Sequence, residues 1–186
     1  FELESWLVDS EMNPAPANAA FLKSFGDSLA CPELAKFNVE FNSMPQVLRG
    51  EVLSQLHFDL GELWRKARTV AESIGVDLVA IGILPTVPAE ALNLSNISEM
   101  NRFRALNEQI LLARGQEPLK LDISGHEHLS VEHQDVMLES AATSFQIHLQ
   151  VPLERVLYYF NTAILVSAPL VAVSANSPFL FGKDLW

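Results

Sequence analysis

Hydrophobic and polar residues alternate along three segments of the chain, and such alternation predicts β-strands with one apolar and one polar face. The predicted strands cover residues 1–9, 36–42 and 143–151. Their apolar positions are Phe1, Leu3, Phe37, Val39, Phe41, Phe145, Ile147, Leu149 and Val151. Their polar positions are Glu2, Glu4, Asn38, Glu40, Asn42, Ser144, Gln146, His148 and Gln150. Strand faces that carry carboxylates, amides and an imidazole are suited to a binding surface.

Apolar residues recur at intervals of three or four in other segments, which predicts amphipathic helices. One helix is expected over residues 17–29, with Ala20, Phe21 and Phe25 facing inward. Two more are expected over residues 53–74, ending at Gly75, and 96–114, with Asn96 as the N-cap. Residues 77–84 predict a buried strand, 85–95 a loop and 119–123 a short strand. Together these elements predict an α+β fold in one domain.

A long apolar segment follows Pro152. Residues 156–182 carry no charge, and that length is sufficient to span a bilayer. Polar residues interrupt the segment, among them Asn161 and Ser167, and polar groups are costly in lipid. A helix buried in the protein core is therefore expected, in preference to a transmembrane helix.

The overall charge argues against nucleic-acid binding. The net charge is −11 and the pI is about 4.8. Nucleic-acid binders need clustered Lys and Arg to displace counterions, and no such cluster occurs here. Cys31 is the single cysteine, so an intramolecular disulfide is excluded and a reducing, cytoplasmic location is expected. An acidic protein can still bind nucleotides when divalent cations supply the positive charge.

Pairs of carboxylates are the first candidates for chemistry. Glu2 and Glu4 leave the same strand face about 6–7 Å apart, a spacing that a divalent cation can bridge. The alternative is the solvated outer face of a sheet, which is common. Glu40 lies in the middle of a predicted strand and Glu33 precedes it. For these two glutamates, surface charge remains the competing interpretation.

A row of polar residues on the third predicted strand is the second candidate. Ser144, Gln146, His148 and Gln150 could hold a metal ion or a polar substrate, or they could be hydrogen-bonded scaffold. The segment from His126 to His133 is interpreted as a polar loop, because it lacks HExxH spacing. P-loop, GxGxxG and GxSxG signatures are absent.

Four pieces of sequence occur in one order: ELE at residues 2–4, PELxxxxVEFNS at 32–43, TSFQIHLQV at 143–151 and SANSPF at 174–179. In this order they resemble the glutamate–cysteine ligase family, in particular its bacterial carboxylate–amine ligase branch, over the whole of residues 1–186. The resemblance implies a curved antiparallel sheet with helices packed on one face, a glutamine synthetase-like catalytic fold of which this chain is the N-terminal half. It also implies Mg²⁺ or Mn²⁺ and ATP as co-substrate.

The resemblance also implies roles for particular residues. By that likeness, the metal ligands are Glu2, Glu4, Glu33, Glu40 and His148. Glu40 and His148 are the implied catalytic residues, and Ser144, Gln146 and Gln150 line the substrate or nucleotide pocket. Two departures are the missing glycine before ELE and the SFQI run before the histidine. The family's later metal-ligating glutamate and phosphate-steadying arginine are not in this sequence, so this chain alone is expected to be inactive.

The implied reaction forms an amide from a carboxylate and an amine through an acyl phosphate. The expected partners are therefore ATP, an amino-acid carboxylate and an amine acceptor, with neither nucleic acid nor membrane involved. A homo-oligomer is left open. Two other classes of function also stay open: a non-catalytic relative that serves as a ligand-binding or regulatory module, and an interaction protein whose acid pairs are surface charge.

Overall fold

A computed structural model describes all residues 1–186 and contains one main antiparallel sheet, two small hairpins and four α-helices. The helices are α1 (Asn18–Phe25), α2 (Val52–Ser73), α3 (Asn101–Ala113) and α4 (Val156–Ser174). The strands of the main sheet are β1 (Glu2–Val8), β2 (Ala30–Pro32), β3 (Asn38–Asn42), β4 (Asp77–Val79) and β7 (Phe145–Gln146). The two hairpins are formed by β5 (Leu119–Ser124) with β6 (His128–His133) and by β8 (Phe179–Leu180) with β9 (Lys183–Asp184). The predicted α+β class is confirmed.

Strand β1 lies at the centre of the main sheet. β3 pairs with one edge of β1, and β2 pairs with the far edge of β3. Two short strands share the other edge of β1, with β7 beside Glu2 and Leu3 and β4 beside its last three residues. All these pairings are antiparallel, so segments far apart in sequence meet on β1.

The two faces of the sheet have different surroundings. On one face, Leu7, Val39 and Phe41 pack with residues of α1 and α2 in a buried cluster. On the other face, Trp6 packs with Phe37 beneath α3 and the segments around it, with ring centroids 5.3 Å apart and planes nearly parallel. Phe37 was predicted to share the face of Val39 and Phe41. That prediction is wrong, because Phe37 lies in the turn before β3, outside its alternation.

Several predicted boundaries change. Strand β1 and helix α2 match their predictions within two residues, and Gly75 follows α2 with a left-handed φ of 80° that suits glycine. Helix α1 ends at Phe25, and Ala20 is exposed, whereas Asn18 is buried. Helix α3 begins five residues later than predicted, because Asn96 belongs to a short 3₁₀ turn.

Two predictions about strands are also wrong. The strand predicted over 77–84 is a strand only at Asp77–Val79, and Ile83 forms an isolated bridge with Ala142. The segment from His126 to His133 is not a loop, since β6 begins at His128 and pairs along the whole of β5. His126 and Glu127 lie in the turn before β6 and contact Asp184 and Lys183 of β9.

The strand predicted over 143–151 is reduced to two residues. Gln146 pairs with Glu2, the first residue of β1, so the chain beyond it has almost no partner strand to follow. Ile147 and Leu149 are therefore exposed, by 60% and 59%. Alternation alone cannot form a strand when the neighbouring edge ends.

Helix α4 forms as predicted after Pro152, but the prediction that it is buried is wrong. None of its residues is buried, and few side chains of other elements contact it. Segment Leu153–Ser174 is long and apolar enough to cross a membrane by length and composition alone.

Candidate active site on the polar sheet face

Two glutamates occupy opposed positions at the centre of the main sheet. Glu4 of β1 pairs with Glu40 of β3, and Glu2 pairs with Asn42 one step along. Because side chains alternate along each strand, these four side chains leave the same face of the sheet. Glu2, Glu4 and Glu40, which the family resemblance implied as metal ligands, thus lie on one face of the sheet.

Glu33 joins this pair from the turn between β2 and β3. Its carboxyl group is in hydrogen-bond contact with that of Glu40. Burial, the contact with Glu40 and the charge of Glu4 raise the pKa of Glu33 to about 7. The two neighbouring carboxyl groups therefore share a proton at a pH where ordinary glutamates are ionised.

Glu40 is the ionised member of that pair. Burial by itself would raise its pKa, but hydrogen bonds from Asn42, Glu33 and Cys31 outweigh burial and lower the pKa. The Asn42 Nδ2 donates to Glu40 Oε1 at 2.5 Å, and the Cys31 Sγ lies 3.2 Å from the same oxygen. Cys31 reaches Glu40 because the two residues pair directly across β2 and β3.

Glu4 is held by the segment that contains β7. The Ser144 backbone N–H donates to one carboxylate oxygen of Glu4 at 2.8 Å. The Ser144 Oγ and the Gln146 Nε2 donate to the other oxygen, both at 3.0 Å. Residues predicted to line a pocket therefore orient a residue predicted to bind a metal.

His148 and Gln150 lie beyond the end of β7. The His148 Nε2 is 3.1 Å from the Glu2 Oε2, although the histidine side chain is 61% exposed. Gln150 is exposed and outside any strand, so the strand face that was predicted to align it with Gln146 does not exist. Its predicted role in lining the pocket stays a prediction.

Buried polar groups beneath the site fix the backbone of Glu33. The Asn18 Nδ2 donates to the Ser98 Oγ at 2.9 Å and to the Ala35 carbonyl at 3.2 Å. The Ser98 Oγ in turn donates to the Glu33 carbonyl oxygen, and the Ser98 N–H donates to the Leu34 carbonyl at 2.8 Å. The position of Glu33 thus depends, through Ser98, on Asn18 of α1.

A cavity of about 330 Å³ adjoins the carboxylates. Glu4 and Glu33 lie on its wall, and helix α3 contributes Phe103 and Leu106. The volume is at the lower end of the range for small-molecule sites. The site can therefore bring a small polar ligand next to the glutamates.

The chemistry of these donors fits a divalent cation. Carboxylate oxygens are the preferred ligands of Mg²⁺ and Mn²⁺, and a cation beside Glu33 and Glu40 would offset the burial and the neighbouring negative charges that raise the pKa of Glu33. In the geometry described, however, no three histidine, cysteine, aspartate or glutamate side chains lie together as a metal site. The five predicted ligands are instead distributed over contacts between Glu2 and His148, between Glu33 and Glu40, and between Glu4 and its donors.

Comparison with protein families identifies one match, to the family described as glutamate-cysteine ligase family 2 (GCS2), over residues 1–186. The chain belongs to this family. Comparison with curated proteins returns no match, and neither does comparison with solved structures. The glutamate–cysteine ligase resemblance drawn from ELE and the later pieces is confirmed, and with it a general ligase character.

Several residues of this ligase-family site were not singled out from the sequence. Asn42 shares the polar alternation of Glu40, so its place on the same face could be predicted, but not its hydrogen bond to the carboxylate. No sequence pattern indicated that Cys31 lies beside Glu40, because β2 has only three residues and shows no recognisable alternation. Glu139 and Ser140, which also line the cavity, belong to a 3₁₀ segment with no periodic pattern.

Proposed function

We propose that this member of glutamate-cysteine ligase family 2 acts as an ATP- and Mg²⁺-dependent carboxylate–amine ligase of the glutamate–cysteine ligase type. The observation that carries the proposal is the convergence of Glu4, Glu33 and Glu40 from separate segments onto one sheet face beside a cavity. Interaction surfaces do not require three partly buried carboxylates on one sheet face, two of them in contact. Ligands that bring positive charge do require them.

The proposed reaction has two stages. The substrate carboxylate takes the γ-phosphoryl group of ATP, with release of ADP, and becomes an acyl phosphate. The amine then attacks the acyl carbon, phosphate leaves, and the amine loses a proton as the amide bond forms. The first stage brings a carboxylate against the negatively charged γ-phosphate, and the second develops negative charge on the acyl oxygen and the leaving phosphate. The residues of the site must therefore hold counter-charge in fixed positions.

The residues of the chain supply that positioning. Glu2, Glu4, Glu33, Glu40 and His148 are the proposed metal ligands. When bound, Mg²⁺ or Mn²⁺ would neutralise phosphate charge during transfer. Ser144 and Gln146 keep the Glu4 carboxylate in one orientation, and Asn42 and Cys31 do the same for Glu40. Fixed carboxylates lose less entropy on binding a ligand than mobile ones.

The finer expectations that follow from this proposal are the glutamine synthetase-like catalytic fold, small-molecule substrates and a cytoplasmic location. Gln150 is retained as a proposed contact to substrate or nucleotide. Its side chain is exposed.

A second candidate is a relative that binds the ligand without turnover. It is favoured by the absence of any three side chains arranged as a metal site, and by the full set of donors that already surrounds Glu4. Such a protein would bind nucleotide weakly and release no ADP.

The decisive experiment measures ADP release by the full-length protein, with Mg²⁺ and a panel of amino acids and amines. Glu40→Gln and His148→Ala should each lower Mg²⁺-dependent ADP release about 100-fold or more, by analogy with other electrostatic groups. Glu108→Gln and His57→Ala are matched controls, because both residues are exposed on helices and neither lines the cavity. Unchanged turnover in both site variants would refute the proposed metal ligation, and no ADP release with any amine would favour the non-catalytic relative.

A further inference from the structure

The SANSPF sequence has no part in the proposed metal ligation, although it is one of the four pieces that carry the family resemblance. Residues 175–178 of it form the loop between α4 and β8, which we call the SANSPF loop. Within the loop, the Ser177 Oγ accepts the backbone N–H of Ile83 at 2.8 Å and donates its proton to the Asn176 Oδ1 at 2.8 Å. The loop is therefore bonded to the segment that follows β4.

Gly82 allows the SANSPF loop to approach this segment closely. A Cβ atom at position 82 would lie 2.3 Å from the Ser177 Oγ and 2.8 Å from the Asn176 Oδ1. Non-bonded heavy atoms are most stable at separations of about 3.5–4.0 Å, so any side chain at this position would displace the loop. Gly82 does not have a left-handed φ. The close contact, and not the backbone conformation, therefore favours glycine here.

A single peptide group connects the SANSPF loop to the segment that contains β7. The peptide group between Gly82 and Ile83 donates its N–H to the Ser177 Oγ. Its carbonyl oxygen accepts the backbone N–H of Thr143 at 2.7 Å, and the Thr143 Oγ1 donates to the neighbouring carbonyl of Ile81. Because a peptide group is planar and rigid, displacement of one end moves the other. A shift of the SANSPF loop would therefore be transmitted to Thr143.

Thr143 directly precedes the donors that orient Glu4. The N–H and Oγ of Ser144 and the Nε2 of Gln146 donate to the Glu4 carboxylate. The Ser144 carbonyl also accepts the Glu4 backbone N–H at 2.9 Å. A continuous series of hydrogen bonds and covalent bonds thus leads from the SANSPF loop, through Gly82, to the carboxylate of Glu4.

We propose that the SANSPF loop is a positioning element of the site, and that Gly82 is the positioning residue through which it acts on Glu4. The chemical importance of Glu4 rests on the proposed function, although the orientation of its carboxylate can be measured without turnover. Such orientation matters because a displacement of about 1 Å in a reacting group can lower a rate about 100-fold.

The alternative is a purely structural role, in which the contact between Ser177 and Gly82 only attaches the end of α4. Loss of the contact would then lower the melting temperature and change the surroundings of residues 81–83 and 175–178. The donors to Glu4 would stay in place. The two roles therefore differ in what happens at Ser144 and Gln146.

Gly82→Ala in the ¹⁵N-labelled full-length protein distinguishes the two roles by NMR. The reporters are the Ser144 backbone N–H and the Gln146 side-chain amide, because both donate to Glu4. Glu4→Gln gives the reference spectrum, since it removes the charge that these donors face. In Gly82→Ala both signals should move toward their positions in Glu4→Gln as the hydrogen bonds lengthen. Unchanged reporter signals, with a lower melting temperature, would overturn the proposal.

Gly61→Ala is the matched control. Gly61 lies within α2, and a Cβ atom there would have no neighbour within 4 Å. The reporter signals should not change in this variant. Its melting temperature should stay the same or rise, because alanine favours helices more than glycine does.

Ser177→Ala covers the case in which Gly82→Ala does not fold. This variant removes the acceptor of the Ile83 N–H without adding volume, so the reporter signals should move in the same direction by a smaller amount. Unchanged signals in Ser177→Ala would count against the proposal.

The double variant of Gly82→Ala with Ser177→Ala tests the contact itself. Without the Ser177 Oγ, the new Cβ would meet the Ser177 Cβ at 3.5 Å, an ordinary contact, and the Asn176 side chain, which can rotate. Gly82→Ala should therefore shift the reporter signals less in the Ser177→Ala background than in the wild type. Equal shifts in the two backgrounds would refute the coupling.

ADP release separates the positioning role from the proposed ligase activity. In Gly82→Ala, kcat should fall about tenfold or more, whereas Gly61→Ala should match the wild type. Displaced reporter signals in Gly82→Ala, without ADP release by the wild type for any amine, would retain the positioning and refute the ligase. ADP release by the wild type with unchanged reporter signals in Gly82→Ala would retain the ligase and refute the positioning. Displaced signals with an unchanged kcat would show that the reaction does not depend on this orientation of Glu4, and would also refute the proposed role of the loop.

Discussion

Glu4 and Glu40 lie directly opposite each other on β1 and β3, on the sheet face that α1 and α2 leave uncovered. Like charges in opposed positions destabilise a sheet. Each carboxylate is compensated separately, Glu4 by donors from the β7 segment and Glu40 by Asn42, Cys31 and the shared proton of Glu33. The site thus keeps acidic groups close together at a cost in stability, and that cost can be measured.

The substitution Glu33→Gln tests this stability cost, when the free energy of unfolding is measured against pH in the presence of EDTA. Because the folded state raises the pKa of Glu33 from 4.5 to about 7, the unfolded state loses this proton at lower pH. The free energy of unfolding of the wild type should therefore fall as the pH rises from about 4.5 to 7, and stay low above that. Glutamine resembles the protonated acid, so the variant should be more stable by about 1–2 kcal/mol at pH 8, after allowance for solvent screening, and equal at pH 4.

Urea unfolding at the two pH values measures this difference. Glu108→Gln is the control and should show no pH-dependent gain. Added Mg²⁺ should reduce the advantage of Glu33→Gln at pH 8, if the cation binds where it is proposed. A stability difference that is the same at both pH values would contradict the shared proton.

Cys31 should resist thiol reagents in the folded protein. Burial, its hydrogen bond to Glu40 and the charges of Glu40 and Glu33 raise the pKa of its thiol to about 12. Only the thiolate is an effective nucleophile, so reaction with iodoacetamide at pH 8 should be at least 100-fold slower than in urea. Mass spectrometry of the alkylated protein checks this, and rapid labelling without denaturant would show that Cys31 is not held against Glu40.

Phe41 should be essential for the stability of the sheet. Its ring makes edge-to-face contacts with Phe21, Phe25 and Trp64 at centroid distances of 6.0, 5.9 and 6.2 Å. Phe41→Ala should lower the free energy of unfolding by about 3–5 kcal/mol. Phe58→Ala is the matched control, since Phe58 is 59% exposed and should change stability by less than about 0.5 kcal/mol. Comparable losses for the two variants would refute this placement of the core.

Asn18 should couple the core to the site. Asn18→Ala leaves the Ser98 Oγ without its donor and removes one of the two donors to the Ala35 carbonyl, and should cost about 1–3 kcal/mol in denaturant unfolding. Because Ser98 holds the Glu33 carbonyl, the variant should also alter the pH dependence attributed to Glu33. Asn101→Ala, at an exposed position, should do neither. A lower free energy of unfolding with an unchanged pH dependence would show that Asn18 does not affect Glu33.

The sequence predicted the part of the site that depends on strand periodicity. Glu2, Glu4 and Glu40 could be assigned to polar strand faces because residues two apart share a face, and the structure brings Glu4 and Glu40 together. The family resemblance added Glu33, which no periodic pattern singles out. Its contact with Glu40 is made across a turn.

The rest required information that the sequence pattern lacks. The segment 143–151 has perfect alternation, yet it pairs only at Phe145 and Gln146 because β1 begins at Glu2. The exposure of α4 could not be predicted either, because the composition of a helix does not show which other elements cover it.

Strand β1 serves both the site and the core through alternate residues, with Glu4 on the polar face and Leu7 packed against the helices. Insertion or deletion of one residue within this strand would exchange the two faces, directing carboxylates into an aromatic interior and apolar side chains into the ligand cavity. Both the packing of the core and the chemistry of the site therefore depend on the register of this seven-residue strand.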